Sequence, residues 1–181
     1  MLRGAEATLV PCSFLGHKVL CKERRKKEYR IKEIDSELRL GRTRREARLL
    51  HKAKEAGVSC PTVYAVGEDY IVIERFSGGK LKENPAQLRK AGEMLAALHS
   101  VGIIHGDFTP YNIIAGSSGL HVIDFGLGFV SYKLEDQADD VLNMLRGIRG
   151  RKQFLEGSSN FVGAAQVLNR IGQIEARMRY R

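Results

Sequence analysis

The chain changes its hydrophobic pattern at Ser77-Gly78-Gly79, and this break constrains the fold more than any other feature. Before it, short apolar or alternating runs dominate. Ala7-Thr8-Leu9-Val10 and Lys18-Val19-Leu20-Cys21 read as two strands joined around Gly16. Val63–Val66 and Tyr70–Glu74 read as a hairpin turning at Gly67-Glu68-Asp69. One helix interrupts them: residues 42–56 place Glu46, Leu49, Leu50 and Ala53 on one face, with Gly57 as the stop. After the break, helical spacing takes over. Asn84-Pro85 is an N-cap followed by proline at the first helical position, and Leu88, Ala91, Leu95 and Leu98 follow until Gly102 ends the run. Three short apolar runs come next, Ile103-Ile104, Ile113-Ile114 and Leu120-His121-Val122-Ile123. Ala138, Val141, Leu142, Leu145 and Ile148 mark a further helix, and a last one is expected over 162–174. The expected fold class is α+β: a β-rich first lobe with one main helix in residues 1–76, then a reduced helical lobe in residues 77–181 with a basic tail.

With 43% hydrophobic and 28% charged residues, the 181-residue chain can bury a core and is not a disordered polymer. Its net charge of +9 is unevenly spread: residues 22–54 carry +8, residues 55–140 carry −6 and residues 141–181 carry +6. Acidic middles can hold metal, and basic ends can hold phosphate backbones. No tryptophan is present and aromatics make up 7%, which argues against a stacking platform for single strands. Cys12, Cys21 and Cys60 form no Cys-x-x-Cys, so a disulfide framework and a zinc site are both disfavoured, and reduced core thiols in a cytoplasmic protein are expected. The longest uncharged run, residues 108–123, is too polar for a membrane helix, and residues 1–21 carry Glu6 and Pro11 where a signal peptide needs an unbroken apolar stretch.

Chemistry concentrates in His105-Gly106-Asp107-Phe108-Thr109-Pro110-Tyr111-Asn112 and in Val122-Ile123-Asp124-Phe125-Gly126. Each aspartate follows an apolar β-like run, so both carboxylates and the asparagine amide belong at strand ends facing one cleft. Phosphoryl transfer needs such a set: one carboxylate for the attacking hydroxyl, and a second carboxylate with an amide oxygen to hold Mg²⁺ against phosphates. The five-residue spacing from Asp107 to Asn112 and the Asp-Phe-Gly triplet match the protein-kinase pattern. Lys22 closes the apolar run Val19-Leu20-Cys21. Glu46 lies on the apolar face of its helix, where a carboxylate wants a cation, and Lys22 is the natural one. No Gly-x-Gly-x-x-Gly occurs, although Gly4 stands one hairpin before Lys22.

Gly4-Ala5-Glu6-Ala7, Lys22-Glu23-Arg24, Lys27-Glu28-Tyr29-Arg30, Arg42-Thr43-Arg44-Arg45-Glu46-Ala47 and His105-Gly106-Asp107 together resemble the small atypical kinase of the KEOPS complex, the PRPK-type family. Arg177-Met178-Arg179-Tyr180-Arg181 resembles that family's basic tail, so the resemblance runs through nearly the whole chain. It implies a minimal two-lobed kinase fold, ATP and Mg²⁺ as cofactors, and a TsaD-like ATPase subunit as partner. It also implies work in the complex that makes threonylcarbamoyl-adenosine in tRNA, as a Ser/Thr kinase or a supporting ATPase, with tRNA reached through the basic segments. By the same resemblance Asp107 is the catalytic base, Asn112 and Asp124 hold Mg²⁺, and Lys22 contacts ATP phosphates with Glu46 orienting it. Gly4, Ala5, Glu6 and Ala7 cover the nucleotide, and the backbone of Glu74 and Phe76 meets the adenine. Phe108, Pro110 and Tyr111 depart from the family's usual Leu and small polar residues at these positions.

The four prolines stand at 11, 61, 85 and 110, so no Ala-Pro-Glu follows Asp-Phe-Gly. Gly106 stands where kinases read a phosphorylated loop with Arg, and Thr109 where Ser/Thr kinases place a Lys near the transferred phosphate. Weak or selective peptide phosphorylation without an activation-loop switch is expected. Rival readings are a RIO-type kinase, which would normally carry Ser-Thr-Gly-Lys and no Gly after Asp-Phe, a small-molecule phosphotransferase, and a tRNA-binding pseudokinase.

Overall fold

The computed structural model describes residues 2–3 and 7–179 of the chain. Five antiparallel strands, β1 (Leu2–Arg3), β2 (Ala7–Phe14), β3 (His17–Arg24), β4 (Val63–Val66) and β5 (Tyr70–Glu74), form one sheet in the order β1-β2-β3-β5-β4. The β2–β3 hairpin turns on Leu15 and Gly16, both with positive φ (48° and 80°), as a two-residue turn between right-twisted strands requires. Cys12 is exposed and Cys21 half-buried; only Cys60 is a core thiol. The expectation of three core thiols fails at the first two because they lie on the hairpin, whose first strand borders solvent.

Helix α1 (Lys32–Glu55) packs on this sheet and begins ten residues before the expected start. Its C-terminal half buries Leu49, Leu50 and Ala53, which is the periodicity a sequence reader sees. Its N-terminal half buries Asp35 and Thr43 and exposes Ile34 and Leu38, as does the flanking Ile31. Asp35 is fully buried and accepts hydrogen bonds from the Lys27 amide (3.3 Å) and Arg39 Nε (2.8 Å), with Arg30 at 3.6 Å. A helix anchored by a buried ion pair carries no apolar stripe to detect.

Strand β6 (Gly79–Lys80) leads into α2 (Pro85–Ser100), whose N-cap Asn84 side chain accepts the Gln87 amide at 2.9 Å. Then β7 (Ile103–Ile104), a 3-10 turn (Pro110–Asn112), β8 (Ile113–Gly116), β9 (Gly119–Val122) and β10 (Phe129–Val130) follow. They form a three-stranded sheet, β6-β8-β9, and a β7–β10 pair. Helices α3 (Leu134–Gly147), α4 (Arg151–Ser158) and α5 (Ala164–Arg179) complete the chain. No helix among the described residues is long and apolar enough to cross a membrane. The sequence reading lacks α4, which is eight residues long and offers Phe154 as its one large fully buried side chain. One apolar cluster runs through both halves, from Leu50, Cys60 and Ile71 to Leu95, Phe108, Phe125 and Phe154.

Helices α2 and α4 meet backbone to backbone. A Cβ placed on Gly92 would lie 2.2 Å from the Phe154 carbonyl oxygen, and one on Gly157 would lie 2.1 Å from the Arg89 carbonyl oxygen. Alanine is the better helix former by about 1 kcal/mol, yet overpacking here costs about 1–3 kcal/mol. Gly92→Ala therefore lowers stability in urea denaturation; a raised midpoint would show that the helices do not touch at this position.

Candidate functional site

Lys22 lies on β3 opposite Leu9 and Ile71, and its side chain crosses to α1 and to the segment after β9. Lys22 Nζ is 2.5 Å from Glu46 Oε1 and 2.7 Å from Asp124 Oδ1. Glu46 faces the sheet, and its second oxygen accepts Arg24 Nη2 at 2.5 Å. Lys22, Arg24 and Glu46 are 6%, 5% and 2% exposed. Burial opposes the Lys22 charge, but the carboxylates of Glu46 and Asp124 outweigh it and hold the ammonium above the ordinary lysine range. Desolvation likewise pushes the Asp124 carboxyl up, and Lys22 together with the Gly126 amide brings it below the usual range. Arg24 is absent from the residues expected at the site. Its signal was available: it stands two residues after Lys22 on the same strand, hence on the same face.

Asp124 has φ +62°, an uncommon conformation for a non-glycine residue, and its carboxylate is half exposed. Across from it, Asn112 Nδ2 donates to both the carbonyl and Oδ2 of Asp107 at 2.8 Å. The Ile123 amide donates to the Asn112 carbonyl at 2.9 Å, which ties the two motifs together one residue before Asp124. The structure thus brings Lys22, Glu46 and Asp124 into direct contact and pairs Asp107 with Asn112, whose carbonyl is tied to the residue before Asp124.

Beneath the cleft, Asp140 of α3 accepts the amides of His105 (2.6 Å) and Gly106 (2.8 Å) and lies 3.4 Å from His99 Nε2. Asp140 was also missed; a buried aspartate on the apolar face of α3 was its signal. His105 Nε2 donates to the Ile123 carbonyl (3.1 Å), and its Nδ1 accepts the Asp107 amide (3.3 Å). These partners fix a neutral imidazole with its proton on Nε2.

An apolar cavity opens beside this cluster, between Leu9, Leu20, Pro61, Ile73, Phe76 and Ile123. Lys22, Glu46 and Asp124 form its charged end, and Glu74 also borders it. The Glu74 side chain accepts from the Thr62 amide (3.1 Å) and hydroxyl (2.7 Å), and the Phe76 ring stacks on His121 with centroids 3.8 Å apart. Ala7 is buried opposite Arg24, while Gly4, Ala5 and Glu6 lie outside the described residues.

Burial holds the His105 imidazole below its ordinary range, against the pull of the Asp140, Asp124 and Asp107 charges. The unfolded chain takes up this proton near the ordinary value of about 6.5. The stability tied to neutral His105 is therefore complete above that pH and is lost as pH falls from it toward the lower folded value. Denaturant unfolding between pH 8 and pH 5 is expected to show this loss, and His105→Gln to make it shallower. An unchanged slope in the variant would exclude His105 as its source.

A RIO domain model matches residues 17–144. The sequence reading set a RIO-type kinase apart as a rival on the strength of two local features. The match follows the whole course of strands and helices from β3 to α3, so that separation does not hold. The chain is 41% identical over 172 residues to a protein of Archaeoglobus fulgidus named as a probable serine/threonine-protein kinase BUD32 homolog, covering 90% of this chain and 88% of that one. It is 38% identical over 208 residues to the KEOPS complex subunit Bud32 of Pyrococcus abyssi, covering 99% and 94%. It is 37% identical to a probable bifunctional tRNA threonylcarbamoyladenosine biosynthesis protein of Methanothermobacter thermautotrophicus, covering 99% of this chain and only 36% of that protein. Among solved structures, the Rio2 kinase of Chaetomium thermophilum in an ADP/Mg²⁺-phosphoaspartate complex superposes with a TM-score of 0.66 at 15% identity, over 99% of this chain and 70% of that one. The architecture is thus the two-lobed, kinase-like α+β fold, and the chain belongs to the RIO domain family, among its Bud32 homologues.

Proposed function

We propose that the chain binds ATP with Mg²⁺ and transfers or hydrolyses the terminal phosphate, as the atypical kinase subunit of a KEOPS-type assembly serving threonylcarbamoyladenosine synthesis on tRNA. One observation carries the reading: the Glu46–Lys22–Asp124 ion-pair chain, buried at Glu46 and Lys22, forms the polar end of an apolar cavity, and the Asn112–Ile123 hydrogen bond ties the Asp107–Asn112 loop to the residue before Asp124. An apolar slot ending in a lysine suits a purine base followed by phosphates. No group of three or more His, Cys, Asp or Glu that could hold a metal ion occurs among the described residues. That fits Mg²⁺, which is commonly held by one or two protein groups and completed by substrate phosphates and water. Asn112 and Asp124 are the groups that would hold it, and bound Mg²⁺ would neutralise charge on the phosphates.

In this reading residues 1–76 and 77–181 are the two lobes. Lys22 contacts the phosphates, Glu46 orients Lys22, and Asp107 accepts or orients the proton of the attacking hydroxyl. The backbone of Glu74 and Phe76 meets the base, and residues 4–7 cover the phosphates. The partner is a TsaD-like ATPase subunit, and the basic segments 22–54 and 141–181 meet tRNA. In this reading the chain works in the cytoplasm.

Two substitutions test the roles against each other. Asp124→Ala abolishes Mg²⁺-dependent ATP turnover. Asp107→Ala lowers kcat and leaves nucleotide affinity nearly unchanged, because its side chain acts on the nucleophile. Wild-type turnover in Asp124→Ala would remove the metal assignment, and a rise in ATP Kd with intact kcat would remove the role of Asp107. For tRNA, deleting residues 177–181 removes three arginines. It is expected to lower the slope of log affinity against log salt by up to about 2–3; an unchanged slope assigns the tail to a protein contact.

A further inference from the structure

His121, on β9, is 4% exposed and takes no part in the charged cluster. The Phe76 ring lies nearly parallel on its imidazole, with centroids 3.8 Å apart and the planes inclined by 13°. Both ring nitrogens are engaged: Ser59 Oγ lies 2.7 Å from Nδ1 and Ser118 Oγ 3.0 Å from Nε2. Burial holds the imidazole below its ordinary range, so it carries one donor and one acceptor, and a serine hydroxyl can meet either. The two serines come from separate places, the connection between α1 and β4 and the turn between β8 and β9. Gly116 leaves the room: a Cβ there would lie 3.2 Å from His121 Nε2 and 3.1 Å from the Ser77 carbonyl oxygen. The imidazole is therefore held at two points, and Phe76, which borders the apolar cavity, is stacked on it.

We propose that His121 is a positioning residue for the base end of the cleft: clamped by Ser59 and Ser118, it holds Phe76 as an aromatic wall for the purine of a bound nucleotide. The inference rests on the nucleotide reading given above and deepens it, since that reading gives Phe76 only a backbone contact. A phenylalanine on a connecting segment has several rotamers open to it, and a parallel ring beneath it selects one. The two hydrogen bonds keep that support from turning. A wall fixed before the ligand arrives costs no ordering on binding. The connection is anchored at its other end as well, where the Glu74 side chain accepts the Thr62 amide and hydroxyl. Ser59 and Thr62 belong to the same stretch between α1 and β4, so one loop braces both ends of the segment from β5 to β6. His121 thus acts on the base and not on the charged end, where Lys22, Glu46 and Asp124 stand.

The alternative is that His121 only stabilises the fold, and a ligand without a base separates the two. The KM for Mg²⁺-ATP, kcat, and the inhibition constant of Mg²⁺-tripolyphosphate would be measured on wild type, His121→Ala, His121→Phe and Ser59→Ala, with thermal unfolding alongside. Loss of a stacked aromatic wall weakens nucleotide binding by up to about tenfold. His121→Ala is expected to raise the KM for ATP by about fivefold to tenfold while the inhibition constant of tripolyphosphate changes by less than about twofold. The effect falls on KM and not on kcat. His121→Phe keeps a ring for Phe76 to stack on and is expected to recover part of the loss. An unchanged KM, equal weakening of ATP and tripolyphosphate, or a loss confined to kcat or to thermal unfolding overturns the proposal and leaves the nucleotide reading standing. Should His121→Ala not fold, Ser59→Ala decides: its KM for ATP is expected to rise by about threefold, and a wild-type KM overturns the proposal. If wild type binds no nucleotide, this inference falls together with the reading beneath it.

Discussion

The architecture depends on one carboxylate. Glu46 is almost fully buried, and an isolated charge in that position is expensive to desolvate. The cost is offset only because two cations from one strand approach its two oxygens from the same side. Lys22 extends the chain of charge to Asp124, so α1, β3 and the segment after β9 are held by alternating plus and minus. Neither α1 nor β3 can move away without leaving a buried charge unpaired. Removing one partner of such a network is costly in a way that deleting a surface pair is not.

A second frame holds the opposite wall of the cleft, and it is built from backbone. Asp140 takes the two consecutive amides of His105 and Gly106, while His105 spans from Ile123 to the Asp107 amide. The loop that carries Asp107 and Asn112 is thus fastened to α3 below and to the end of β9 beside it. Phe108 and Phe125, the neighbours of the two aspartates, are buried in the core. Each motif therefore anchors an apolar side chain inward and presents a polar one outward, which is how a loop can hold a fixed geometry.

Much of this was legible in the sequence because it is written locally. The two hairpins, the Asn84-Pro85 helix start and the two aspartate motifs each depend on residues within a few positions of one another. The pairing of Lys22 with Glu46 was legible by chemistry, since a carboxylate beside Leu49 and Leu50 needs a cation. What escaped was set by distant partners. The first half of α1 is fixed by Asp35, whose cations stand in the β3–α1 connection and one helical turn away. Helix α4 exists because α2 lies against it: alone, eight residues could not offset the cost of helix nucleation. Arg24 sat within a run of five basic residues in six and read as solvated charge, although its strand face turns it inward. Residues 4–6 lie outside the described residues, so their expected cover over the cleft keeps its basis in resemblance alone.

The glycine contact between α2 and α4 bears on how the chain evolves. At Gly92 and Gly157 the backbones are so close that neither position can acquire a side chain while the other helix stays in place. The two sites are thus coupled to each other, and both to the spacing of the helices, although neither carries chemistry. Divergence in this part of the molecule must proceed through the outward faces of α2 and α4, while their axes remain locked.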